Sequence, residues 1–289
     1  MVTKERGKKM ENVYRDTMQL LKKYHIHANK KLGQNFLIED TVVEKTIEAA
    51  DITKEDLVIE IGPGLGTLTK ELLEKAKKVI AVELDEKMIP ILQERFFLYQ
   101  NLELVHQDIL KVPLKEYIEK EENIREVKIV ANLPYYITTP IIMKLLEDRL
   151  PVKTITVMVQ KEVAKRLTAK TGDKLCGAIT YGVEYYCETK EVVEVPRQSF
   201  IPAPEVDSEV IQLILRDKSK VQVKDEKFLF SLIKASFMQR RKTLLNGIGN
   251  SGLIEKNKLK EIMQELNLPE TTRGENLTLE QFAEIAQKV

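Results

Sequence analysis

From residue 41 to about 167 the sequence changes period repeatedly, and this alternation restricts the fold more than any single motif does. "TVVEKTIEAA", "TLTKELLEKA", "EKMIPILQERF", "TPIIMKLLEDRL" and "KEVAKRL" carry apolar residues at helical spacing. Between them stand "LVIEIG", "KVIAVELD", "LELVHQD", "VKIVAN" and "TITVMVQ", short apolar runs of the kind that form strands buried on both faces. Strand-helix-strand units of this length predict an α/β fold with a mostly parallel sheet covered by helices. Near residue 216 the pattern breaks. "RDKSKVQVKDEK" is polar and linker-like, and "FLFSLIKASFM", "KLKEIMQEL" and "TLEQFAEIAQKV" beyond it are amphipathic and helical. A smaller all-helical C-terminal domain is therefore expected.

At 289 residues the chain is long enough for two such parts. No apolar run approaches the ~20 residues that would cross a bilayer, and "MVTKERGKKMENVYRD" has no apolar signal-peptide core. A cytoplasmic protein without a membrane partner is expected. Cys176 and Cys187 lack the spacing of a disulfide framework or a zinc site and read as buried, inert thiols. His25, His27 and His106 belong to no zinc-binding signature, so no metal is expected. Residues 1–36 carry nine Lys/Arg against three Asp/Glu. Such an arm suits a phosphate backbone, and equally suits a solvated terminus.

Chemistry is expected at the carboxyl ends of the strands, where open α/β sheets bind their ligands. "VIEIGPGLGTLTKEL" is a strand, a glycine turn and a helix, an arrangement that aims backbone N–H groups at a ligand. Gly62, Gly64 and Gly66 permit the turn, although Thr67 stands where the dinucleotide fingerprint has its last glycine. Glu83 ends the next strand and can accept both hydroxyls of a ribose. Asp108, after the following strand, can accept from an adenine amine. Together these strand ends describe a nucleoside pocket.

The fourth strand runs into "NLPYY" at 132–136 and arbitrates between hydride and methyl transfer. Hydride chemistry wants a proton donor such as a Tyr-Lys pair, which this stretch does not supply. Methylation of an adenine N6 needs something else, because that lone pair is delocalised until acceptors hold the amine hydrogens. The side-chain oxygen of Asn132 can be one acceptor and the carbonyl of residue 133 or 134 the other, with Pro134 stiffening the turn. Tyr135 can stack on an extruded base, worth about 1–3 kcal/mol. Tyr136 has no role beyond packing.

With "KKLGQNFL" (30–37), "EIGPGLGTLT" (60–69), "NLPYYITTP" (132–140), "MVQKEVAKRL" (158–167), "FIPAPEVDS" (200–208) and "QRRKTLLN" (239–246), the chain resembles the KsgA/RsmA family of small-subunit rRNA adenine dimethyltransferases, related to the Erm resistance enzymes. The resemblance implies a Rossmann-like class I methyltransferase sheet that uses S-adenosylmethionine (SAM). It places Asn35, Leu37, Gly62, Glu83, Asp108 and Asn132 at the cofactor. It also implies dimethylation of two adjacent adenosines in the 3'-terminal hairpin loop of 16S rRNA, in a 30S precursor particle, by a monomer. An Erm-like 23S rRNA methyltransferase and an assembly factor acting mainly by binding are the alternatives.

Phe200 could cover the second face of the target adenine or plug the core. Arg240, Arg241 and Lys242 could grip phosphates or lie on a solvated helix face. The expected organisation is a basic extension (1–27), a catalytic domain (28–215), a linker (216–224) and a helical RNA-binding domain (225–289).

Overall fold

A computed structural model describes residues 12–29, 32–173, 175–239 and 241–289. The chain begins with α1 (Val13–Lys23), β1 (Phe36–Leu37) and α2 (Asp40–Ala50). Alternating elements follow: β2 (Leu57–Ile61), α3 (Thr67–Lys75), β3 (Lys78–Glu83), α4 (Met88–Arg95), β4 (Leu102–His106), α5 (Leu114–Glu119), β5 (Val127–Asn132), α6 (Thr138–Glu147), β6 (Val152–Gln160) and α7 (Lys161–Thr168). Then come α8 (Ala178–Tyr186), β7 (Cys187–Val195), β8 (Phe200–Ile201) and β9 (Ser208–Leu215), and last α9 (Glu226–Met238), α10 (Leu244–Gly249), α11 (Lys256–Glu265) and α12 (Leu279–Lys288).

The main sheet runs β4-β3-β2-β5-β6-β9-β7, and β2 through β6 pair in parallel, as the alternating sequence predicts. The strand order turns back beside β2: β3 pairs on one side and β5 on the other. This is the topological switch at which a doubly wound sheet opens a crevice. The five residues of β2 are all buried, consistent with helices on both faces. Strands β7 and β9, helix α8 and the short helix α10 are elements that the periodicity did not reveal. A separate two-stranded ribbon pairs Leu37 with Phe200.

Two compact units emerge. One comprises the described residues of 1–141, 150–161 and 191–212 and contains the glycine turn and "NLPYY". The other comprises those of 142–149, 162–190 and 213–289. Within the second unit the Tyr181 ring is buried against Phe282, edge to face at 5.1 Å, and its hydroxyl donates to the carbonyl of Leu277 at 2.6 Å. Asp225 caps α9 by accepting from the Phe228 amide, and Thr278 with Gln281 forms a capping box on α12.

Candidate active site

Gly62, Gly64 and Gly66 all adopt positive φ, and the turn they make delivers the chain from β2 into α3. At Gly66 (φ 84°) there is also no room for a side chain: a Cβ would lie 2.5 Å from Cε2 of Phe96. The turn leaves its side facing the cleft as bare backbone. Glu83, buried at the end of β3, closes the turn by accepting from the Gly64 amide (3.0 Å) and the Asp85 amide (2.7 Å). Burial pushes its carboxyl up from the usual range. Asp108 is half-buried past the end of β4 and accepts from the Leu110 amide at 3.0 Å.

The loop before β1 covers this crevice. Asn35 donates to the Gly33 carbonyl at 3.1 Å, and Gln34 donates to Asp85 at 2.7 Å, tying the loop to the residue next but one after Glu83. Asn132, the last residue of β5, donates its Nδ2 to the Asn35 carbonyl at 3.3 Å. That bond fixes which end of the amide is engaged and leaves Oδ1 as the free acceptor. The Pro134 carbonyl already receives the Ile137 amide (3.2 Å) and the Thr138 hydroxyl (3.1 Å). Tyr135 is hydrogen-bonded through its hydroxyl to Ser208 of "FIPAPEVDS", and burial pushes its phenol up. Tyr136, 57% exposed, lays its ring 3.3 Å from where a Cβ on Gly33 would stand, which gives it a packing role on the loop.

Asn35, Leu37, Gly62, Glu83, Asp108, Asn132, Pro134 and Tyr135 all line one cleft of about 1080 Å³, open mouth included. Its floor also holds Glu60, which was not singled out from the sequence. Glu60 is 1% exposed, its Oε2 has no hydrogen-bond partner among the described residues, and burial pushes its carboxyl up to about 8. An unsatisfied buried oxygen of this kind calls for a donor from a ligand. With carboxylates at 83 and 108 and the backbone amides of the turn, the residues present fit a ligand bearing an ammonium, ribose hydroxyls and an exocyclic amine. Gln34 and Ser208 were also missed, since their partners, Asp85 and Tyr135, lie 51 and 73 residues away in the chain.

Phe200 stands elsewhere. It is 2% exposed, belongs to the core cluster that includes Phe36 and Leu37, and is not among the cleft residues, so of its two expected roles the observed placement is the core plug. Arg241 and Lys242 are exposed in the turn between α9 and α10 of the second unit, and Arg240 lies outside the described residues. Among the described residues, no group of three or more His, Cys, Asp or Glu could hold a metal ion, and no helix is long and apolar enough to cross a membrane.

Comparison with known proteins bears on the chemistry. A family model described as "Ribosomal RNA adenine dimethylase" matches residues 25–289. "Ribosomal RNA small subunit methyltransferase A" of Clostridioides difficile is 50% identical over 267 residues, covering 92% of each chain. The protein of the same name from Lachnoclostridium phytofermentans is 50% identical over 275 residues, covering 94% of this chain and 95% of its own. A dimethyladenosine transferase from Plasmodium falciparum superposes with a TM-score of 0.72 at 30% identity, covering 86% of this chain and 95% of that one. The 23S rRNA methyltransferase ErmE shares the fold, with a TM-score of 0.66 at 24% identity.

Proposed function

Because this chain belongs to the ribosomal RNA adenine dimethylase family, we propose that it dimethylates N6 of two adjacent adenosines in the 3'-terminal hairpin loop of 16S rRNA. SAM supplies an electrophilic methyl group carried on a sulfonium sulfur. We assign Glu83 to the ribose hydroxyls, Asp108 to the adenine amine of the cofactor, and Asn35, Leu37 and Gly62 to the remaining walls of its site.

The orientation of Asn132 carries the reading. With Nδ2 held by the Asn35 carbonyl, Oδ1 is presented as an acceptor for a hydrogen of the target amine. The Pro134 carbonyl is committed to the turn that follows it, so the second acceptor is assigned to the carbonyl of Leu133. Two acceptors pull the N6 hydrogens out of the ring plane and localise the lone pair. The methylated nitrogen is cationic and loses its proton to water, so positioning and electrostatics supply the rate. Tyr135, steadied by Ser208, gives the extruded base a face to stack on. A loop target suits this, since unstacked bases cost little to extrude.

The same reading makes the protein a cytoplasmic monomer acting on a 30S precursor, with Arg241 and Lys242 toward phosphates and 225–289 helping to hold the RNA. Labelled cofactor offered with 30S particles, 50S particles, 23S rRNA and DNA tests the substrate: label is expected in the small subunit, and label confined to 23S rRNA overturns the assignment. Asn132→Ala is expected to abolish transfer while the cofactor still binds in calorimetry. Unchanged turnover would refute the two-acceptor mechanism.

A further inference from the structure

The family match begins at residue 25, yet α1, which precedes it, reaches the back of the glycine turn through a single side chain. Arg95, in the last turn of α4, pairs through Nη2 with Asp16 of α1 and through Nη1 donates to the Leu65 carbonyl at 2.7 Å. Leu65 lies between Gly64 and Gly66, is 1% exposed and lines the cleft. Its peptide with Gly66 is clamped at both ends, since the Gly66 amide donates to the Pro63 carbonyl at 2.8 Å. The Arg95 side chain is 11% exposed and that of Asp16 30%, so the pair is partly shielded from water, which strengthens a charge-assisted hydrogen bond.

Helix α1 is docked rather than free-standing. The Val13 amide donates to Asp40 at 2.8 Å, Thr17 is buried, and Lys23 meets Glu94 at 2.7 Å. An isolated helix of 11 residues would be marginal in water, so its order comes from this contact. An Arg side chain has many rotamers, and one that must reach a carbonyl gains from a carboxylate that selects the right one.

We infer that Asp16 and Arg95 are positioning residues for the cofactor: α1 holds Arg95 on the Leu65 carbonyl, and Arg95 holds the glycine turn in its ligand-accepting form. This rests on the reading of the cleft as a SAM site. Neither residue touches the cofactor, so the effect is expected in affinity.

The test compares the full-length wild type with Asp16→Asn, Arg95→Met and the double variant, by calorimetry with SAM and by steady-state kinetics. Each single variant is expected to raise the Kd about three- to tenfold. The cofactor KM should rise in parallel, while the RNA KM and kcat at saturating cofactor hold. Because Asp16 acts through Arg95, the double variant should bind no more weakly than Arg95→Met. Deuterium exchange across residues 62–67 should quicken in Asp16→Asn, a readout that survives if Arg95→Met folds poorly. Wild-type affinity and exchange in Asp16→Asn, or multiplicative effects in the double variant, overturn the relay with the cleft reading intact. A wild type that fails to bind SAM overturns the cleft reading and the relay with it.

Discussion

Glu60 is a carboxyl held in the middle of the core at the floor of the cleft, and its burial has a thermodynamic signature of its own. The folded protein keeps the Glu60 proton up to about pH 8, whereas the unfolded chain releases it near 4.5. Across that window the native state binds the extra proton, so stability falls as pH rises and levels off above about 8. Without added cofactor, the melting temperature of the wild type is expected to fall relative to Glu60→Gln between pH 5 and 8. Parallel curves for the two proteins would show that Glu60 is ionised in the folded state. At this scale the sequence was readable where a residue type has few other uses: Asn132, Glu83 and Asp108 sit at strand ends, and all reach the cleft. Glu60 was hidden because it occupies an ordinary position in an apolar strand. Ser208 was hidden because its partner, Tyr135, lies 73 residues away.

Among the elements, α4 closes directly on the glycine turn that opens α3. The Phe96 ring fills the space beside Gly66, and the φ of 84° there is strained for any residue with a side chain. Gly66→Ala is therefore expected to destabilise the protein by about 2–4 kcal/mol, combining overpacking with backbone strain. Adding Phe96→Leu should recover part of this in urea unfolding. No recovery would mean that backbone strain accounts for the whole loss. The parallel strands and most of the helices between them were legible from their apolar periods, whereas α5, only six residues long, was not. Strand β7 was not: "CETKEVVEV" is mostly exposed and polar along its middle, so it lacks the apolar run that marks the inner strands. Helix α10 is only six residues long, too short for a period to declare itself.

On the scale of the whole molecule, the helical unit does not begin at the polar stretch near 216. It takes residues 142–149 and 162–190 from the middle of the chain. Tyr181 of α8 is fully buried only because Leu277, Phe282 and the carbonyl of Gly274 surround it. A chain ending at residue 215 is expected to leave this face bare and to aggregate, as judged by size-exclusion chromatography and by loss of a cooperative thermal transition. A soluble truncated chain that melts cooperatively would show that residues 162–190 stand without the C-terminal helices. The interleaving also bears on descent. A part whose core is borrowed from mid-chain cannot be traded between lineages as a terminal cassette, because the donor's helices would arrive without the α8 that completes them.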